Sequence, residues 1–209
     1  MKTVIFDFDG TLADTFVYAL EIANKYAPKY HLSVFTPEEL QKLKKMSLSA
    51  IVKKYKISWF NVIRMVIDSR REVTARLPFV NTFSGIQGMM KKLNDDGYQI
   101  AVVSTNSKKN IEYFVNKYFY RDVSIIHTSL NPFNKDKVLK KLLRKFKINP
   151  SDAVYVGDEI RDIDAAKSAE ISIISVDWGY NSKALLREKN SLVVSNPEEL
   201  YEAILRLFK

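Results

Sequence analysis

Apolar and polar positions along this chain follow two rhythms. Short runs rich in valine and isoleucine occupy residues 3–7, 99–104, 123–127, 153–157 and 171–176. Each has the length and composition of a buried strand. Between the later runs, apolar positions recur every three or four residues, as on a helix with one face turned inward. Residues 136–146 show this most clearly, with Leu139, Leu142, Leu143 and Phe146 on one stripe and Lys140, Lys141, Arg144 and Lys145 mostly elsewhere. Near-continuous apolar strands alternating with amphipathic helices predict an α/β fold, a doubly wound parallel sheet covered on both faces.

One stretch breaks the alternation. Helical patterns run through residues 16–30, 38–55 and 59–76 with no convincing strand among them, punctuated by Pro28, Pro37 and Pro78. The simplest organisation is a smaller all-helical domain, residues 15–79, inserted after the first strand of an α/β core made of residues 1–14 and 80–209. Linkers are expected near 13–16 and 77–83. On pattern alone, helices that simply pack onto the core remain an alternative.

Composition removes several chemistries. The chain has 209 residues and no cysteine, so disulfides, zinc–thiolate sites and thiol nucleophiles are excluded. His31 and His127 are the two histidines and lie far apart, which argues against a histidine metal site or a Ser-His-Asp triad. No apolar run is long enough to span a membrane, and acidic residues stand at positions 7 and 9 where a signal peptide needs apolar ones. The expected location is therefore cytoplasmic, without membrane association. The net charge of +9 favours anionic ligands. The basic residues are dispersed, and pairs such as Lys53-Lys54, Lys108-Lys109 and Lys140-Lys141 read as solvated helix faces, so nucleic acid is not the expected partner.

The candidate chemistry sits where strands end. Val4, Ile5 and Phe6 lead into Asp7-Phe8-Asp9-Gly10-Thr11-Leu12. Residues two apart on a strand share a face, so Asp7 and Asp9 are expected to point the same way. The carboxyl end of a buried strand is where open α/β sheets bind ligands. Two carboxylates there repel unless one is protonated or a cation lies between them. Ser104, Thr105, Asn106 and Ser107 follow the second run and precede a helix starting near Lys108. Such residues bind phosphate oxygens or cap the helix, and both readings stay open. Lys135 opens the amphipathic helix, against the macrodipole, which a nearby anion would explain. The fourth run ends in Gly157-Asp158-Glu159, with Asp162 one helical turn on.

Together these pieces resemble the haloacid dehalogenase (HAD) superfamily: Asp-x-Asp-x-Thr after a strand, then a strand ending in Ser, then Lys, then strand–Gly-Asp-x-x-x-Asp. The strings Tyr155-Val156-Gly157-Asp158-Glu159, Ala165-Ala166-Lys167 and Trp178-Gly179-Tyr180-Asn181-Ser182, with Gly85 before a helix ending near Gly97, are similar to the phosphoglycolate-phosphatase-like branch. Ser84 stands where many of those relatives carry proline. The resemblance implies a Rossmann-like core with a helical cap and a Mg²⁺-dependent phosphatase acting on a small phosphorylated metabolite through an aspartyl-phosphate. It implies Asp7 as nucleophile and Asp9 as general acid and base, with Lys135 as a further catalytic residue. Thr11, Ser104, Thr105, Asn106 and Lys135 would bind phosphate. Asp7, Asp158 and the backbone carbonyl of Asp9 would hold the metal, with Glu159 and Asp162 behind them. An alkoxide leaving group needs the proton that Asp9 can give, whereas a halide does not, so Asp9 favours ester hydrolysis over dehalogenation.

A cap arginine of relatives is replaced by Lys44 or Lys45, which do not copy a bidentate grip. Lys44, Lys45, Arg64, Arg70, Arg71 and Arg76 are the candidate substrate contacts of the cap. Relatives are often monomers or homodimers. A phosphoglucomutase-like phosphotransferase, an inorganic pyrophosphatase, and a non-catalytic anion- or RNA-binding module are the alternative functions.

Overall fold

The strand-like runs assemble into one six-stranded sheet in the computed structural model, which describes residues 1–129 and 134–209. The strands are β1 (Thr3–Phe6), β2 (Gln99–Ser104), β3 (Ile125–Thr128), β4 (Ala153–Gly157), β5 (Ser172–Val176) and β6 (Val193–Val194). Their order is β3-β2-β1-β4-β5-β6, and every pairing is parallel. Strand periodicity divides the apolar residues between two faces. Val4, Phe6, Ile100, Val102, Val154 and Val156 face one core, completed by α5 (Ile86–Asp95), α6 (Lys108–Tyr118) and the last helix, Pro197–Leu207. Ile5, Ala101, Val103 and Tyr155 face the other, completed by α7 (Lys135–Phe146) and α8 (Ile160–Ser168). The fold is thus the expected doubly wound α/β sheet.

Between β1 and β2 lies the helical insertion: α1 (Phe16–Tyr26), α2 (Pro37–Leu43), α3 (Leu48–Lys54) and α4 (Trp59–Arg76). The helical pattern expected over residues 38–55 is two helices. Ser47 accepts a hydrogen bond from Ala50 N at 3.3 Å and starts α3 afresh, while Thr36 and Glu39 form a capping box on α2. The chain leaves and re-enters the core side by side: Ala13 bridges Thr82, and Asp14 N donates to Asn81 O at 2.9 Å. These contacts fall inside both expected linkers. Among the described residues, no helix is long and apolar enough to cross a membrane.

Some strand limits differ from the sequence expectation, the fifth by a single residue at its start. The first strand stops at Phe6, although Asp7 N still donates to Val156 O at 2.8 Å. The third is shifted towards Thr128. The edge strand β6 was not expected, because two residues are too few to show a period.

Candidate active site

Strands β1 and β4 are neighbours at the centre of the sheet, so their carboxyl ends bring Asp7 and Asp158 together. The first turn of α8 adds Asp162. One carboxylate oxygen from each of Asp7, Asp158 and Asp162 lies within 4.8 Å of the others, and all three residues are buried. Lys135, the first residue of α7, enters this group with 4% of its surface exposed. Its ammonium lies 2.7 Å from Asp7 Oδ2 and also pairs with Asp162 Oδ1. The expectation that an anion explains a lysine at this helix start is thereby given a physical partner.

The electrostatics follow from burial. Burial pushes the Asp7 carboxyl up to about 7, with Lys135 opposing and Asp162 adding to the rise. Asp158 rises well above the usual carboxylate range, through burial first and then the charges of Glu159, Asp162 and Asp7. For Lys135, burial disfavours the charge, but Asp162 and Asp7 outweigh it, and the pKa is raised. With all three carboxyls ionised, the group would carry more negative charge than Lys135 alone balances, and the raised pKa values express that cost. Asp7 Oδ2 lies 2.7 Å from the Lys135 ammonium and has no second partner among the described residues. A cation bound by these carboxylates would satisfy that oxygen and lower both carboxyl pKa values.

Each carboxylate is held in place. Asp158 accepts from Thr11 Oγ1 at 2.7 Å and from Tyr180 N at 2.7 Å. Thr11, expected at the phosphate, is fully buried and spends its hydroxyl on this carboxylate. Asp162 Oδ2 accepts from Asp158 N and Glu159 N at 3.1 and 2.9 Å. Glu159 is instead taken up by Arg161, whose Nε donates to Glu159 Oε1 at 2.9 Å. Close packing against Asp158 demands glycine at two positions. At Gly10, φ is +81° and a Cβ would fall 2.3 Å from Asp158 Oδ2. At Gly179 a Cβ would fall 2.2 Å from the same oxygen and 2.4 Å from Gly10 O.

The strand-end loop after β2 supplies donors beside the acids. Ser104 is buried and its Oγ accepts from Asn106 N at 2.9 Å. The helix cap is Ser107, which accepts from Asn110 N at 3.2 Å, so Ser104, Thr105 and Asn106 are not needed as caps. Asn106 Oδ1 accepts from Ser107 N and from Asn110 Nδ2, at 2.8 and 2.9 Å.

Asp9 stands apart from the three-acid group. It lines a cavity of about 310 Å³ between the core and the helical insertion, as do Thr105 and Asn106. Burial raises its pKa, partly offset by the Thr15 hydroxyl. The expectation that Asp7 and Asp9 share a strand face assumed a longer strand; beyond Phe6 the chain turns, and Asp9 bridges Ala13.

The cap cations separate in the structure. Lys44 donates to Gly179 O at 3.0 Å and lies over the Phe16 ring, joining insertion to core. Arg64 lies over Phe60, and Lys45 and Arg71 are exposed. Arg70 and Arg76 line the cavity. Three residues at the site were not singled out from sequence: Arg161 and Tyr180 in the cavity wall, and buried Asn110 behind Asn106. The one available signal was a lone cation inside the acidic string 158–162.

The chain is similar to known proteins. The chain is 28% identical to a phosphoglycolate phosphatase of Synechococcus elongatus over 100% of both chains. It is 24% identical to a pyrophosphatase of Oceanobacillus iheyensis, covering 98% of this chain and 94% of that one. A crystal structure of a predicted phosphatase from Clostridium acetobutylicum superimposes with a TM-score of 0.84 at 21% identity, covering 98% of each chain, and so shares the fold. The haloacid dehalogenase-like hydrolase family matches residues 4–176. With the motif residues gathered at the ends of β1, β2 and β4 and that match spanning most of its length, the chain belongs to the haloacid dehalogenase-like hydrolase family.

Proposed function

We propose that the protein is a magnesium-dependent phosphatase that hydrolyses a small phosphomonoester through a phosphoryl group carried on Asp7. The observation that carries this reading is the buried group of Asp7, Asp158 and Asp162, one carboxylate oxygen from each within 4.8 Å of the others, with the Lys135 ammonium 2.7 Å from Asp7. The phosphatases among the similar proteins support the reaction class. We assign residues 15–79 to a cap domain over a core of residues 1–14 and 80–209.

Asp7 attacks phosphorus and the ester oxygen departs. Asp9, whose raised pKa favours the protonated form, gives that oxygen its proton. The resulting carboxylate then takes a proton from water, which cleaves the phosphoryl–Asp7 bond. Lys135, the Ser104 hydroxyl and the amide near Thr105 stabilise the phosphoryl oxygens. Asn106 braces that loop through Asn110. The carboxylates of Asp7 and Asp158 and the backbone carbonyl of Asp9 would hold magnesium, which would supply charge neutralisation. Thr11 and the Tyr180 amide orient Asp158, and Asp162 orients Lys135. Glu159 orients Arg161.

Phosphate release from p-nitrophenyl phosphate is expected in magnesium, to be lost on adding EDTA and regained on restoring the metal. Salt-sensitive RNA binding without any phosphate release would replace this reading with a non-catalytic one.

A further inference from the structure

We infer that the natural leaving group is larger than a two-carbon acid, with an apolar body beneath the cap helices and an anionic end met by Arg70. The inference rests on the phosphatase reading above and names the substrate class of that site. The cavity of about 310 Å³ is bordered by Asp9, Thr105 and Asn106, whereas Asp7, Ser104 and Lys135 lie outside its lining. It is therefore space on the leaving-group side of the phosphoryl site. At about 30 Å³ per liquid water it is well above the roughly three water volumes of a two-carbon acid.

The walls say what belongs there. Ile22, Val66, Val73, Leu77 and Val80 line the side made by the insertion and its return segment. Against such walls a doubly charged second phosphate has one unbalanced guanidinium, that of Arg70, to replace its hydration, so they favour a singly charged end over pyrophosphate. An aromatic or branched aliphatic body gains by covering them.

One cation is left over. Arg76 is balanced by Glu72 at 2.6 Å and Glu21 at 3.4 Å, and Arg161 by Glu159. Arg70 is half-buried and lines the same cavity, and among the described residues no acid forms an ion pair with it. A guanidinium in that setting pairs well with a carboxylate on the substrate.

The test compares kcat/KM for 2-phosphoglycolate, benzyl phosphate, 4-carboxybenzyl phosphate and pyrophosphate, all measured in magnesium. The carboxybenzyl ester is expected to be the best substrate and benzyl phosphate to exceed phosphoglycolate. Arg70→Gln should lower the carboxybenzyl ester about tenfold and leave benzyl phosphate within about threefold. Val73→Trp, which fills the cavity, should depress both benzyl esters and spare phosphoglycolate. Phosphoglycolate or pyrophosphate as the best substrate, or an equal loss on every ester in Arg70→Gln, would overturn the inference while leaving the phosphatase reading intact. No hydrolysis of any of the four would remove that reading and the inference with it.

Discussion

Asp7→Asn is expected to abolish turnover, by roughly 10⁴-fold or more, as for loss of a nucleophile elsewhere. The loss should come with no loss of stability. The folded Asp7 carboxyl titrates near 7, against 3.8 without its surroundings. The folded state thus holds that proton more tightly than the unfolded chain. The stability contributed by protonated Asp7 is complete below about 4 and declines as pH rises through about 7. Above that range the ionised group works against folding, and the uncharged amide does not. Lys135 keeps its partner Asp162 in the variant. In metal-free buffer near pH 8, Asp7→Asn should therefore melt at or above the parent Tm, with the difference fading near pH 4. Full turnover in the variant would remove Asp7 from the chemistry, and a large fall in Tm would contradict the electrostatic account.

Lys135→Met should have the opposite thermodynamic sign. It strips the ammonium from two buried carboxylates, Asp7 and Asp162, which are exposed by 3% and 0%. Breaking a buried pair from one side costs on the order of 3–5 kcal/mol. Because Lys135 opposes the rise of the Asp7 pKa, its removal drives that pKa further up. Urea unfolding in metal-free buffer should show a lower midpoint with little change in slope. Phosphatase activity should fall by about 10² or more, the effect of losing one oxyanion donor. An unchanged midpoint would mean that Lys135 is not the counter-charge of this cluster.

The α/β architecture was legible because each strand is a dense apolar run and because the helix after residue 134 carries a strong stripe. The acids were legible because parallel strands put their carboxyl ends on one edge. Chain geometry, not side-chain identity, decided the rest. Thr11 belongs to the same short string as Asp7, yet the turn at Gly10 aims its hydroxyl at Asp158, and no periodicity encodes that. Arg70 and Arg71 are adjacent and alike in sequence, but one lines the cavity and the other is exposed, a difference set by how α4 packs on α1. Tyr180 and Gly179 matter through a backbone amide and the absence of a Cβ, neither of which their residue types announce.

The middle position of β1 has a consequence for motion. Thr3 to Phe6 are bonded on both flanks, to β2 and to β4. Their amides are expected to be among the last to exchange hydrogen with solvent. The insertion lies outside that sheet and meets the core through a two-stranded neck, polar contacts such as Lys44 to Gly179, and apolar ones such as Phe16 on Tyr180. On the proposed mechanism the oxygen that receives phosphorus directly follows this doubly flanked strand, while the surface proposed to select the substrate lies on helices outside the sheet.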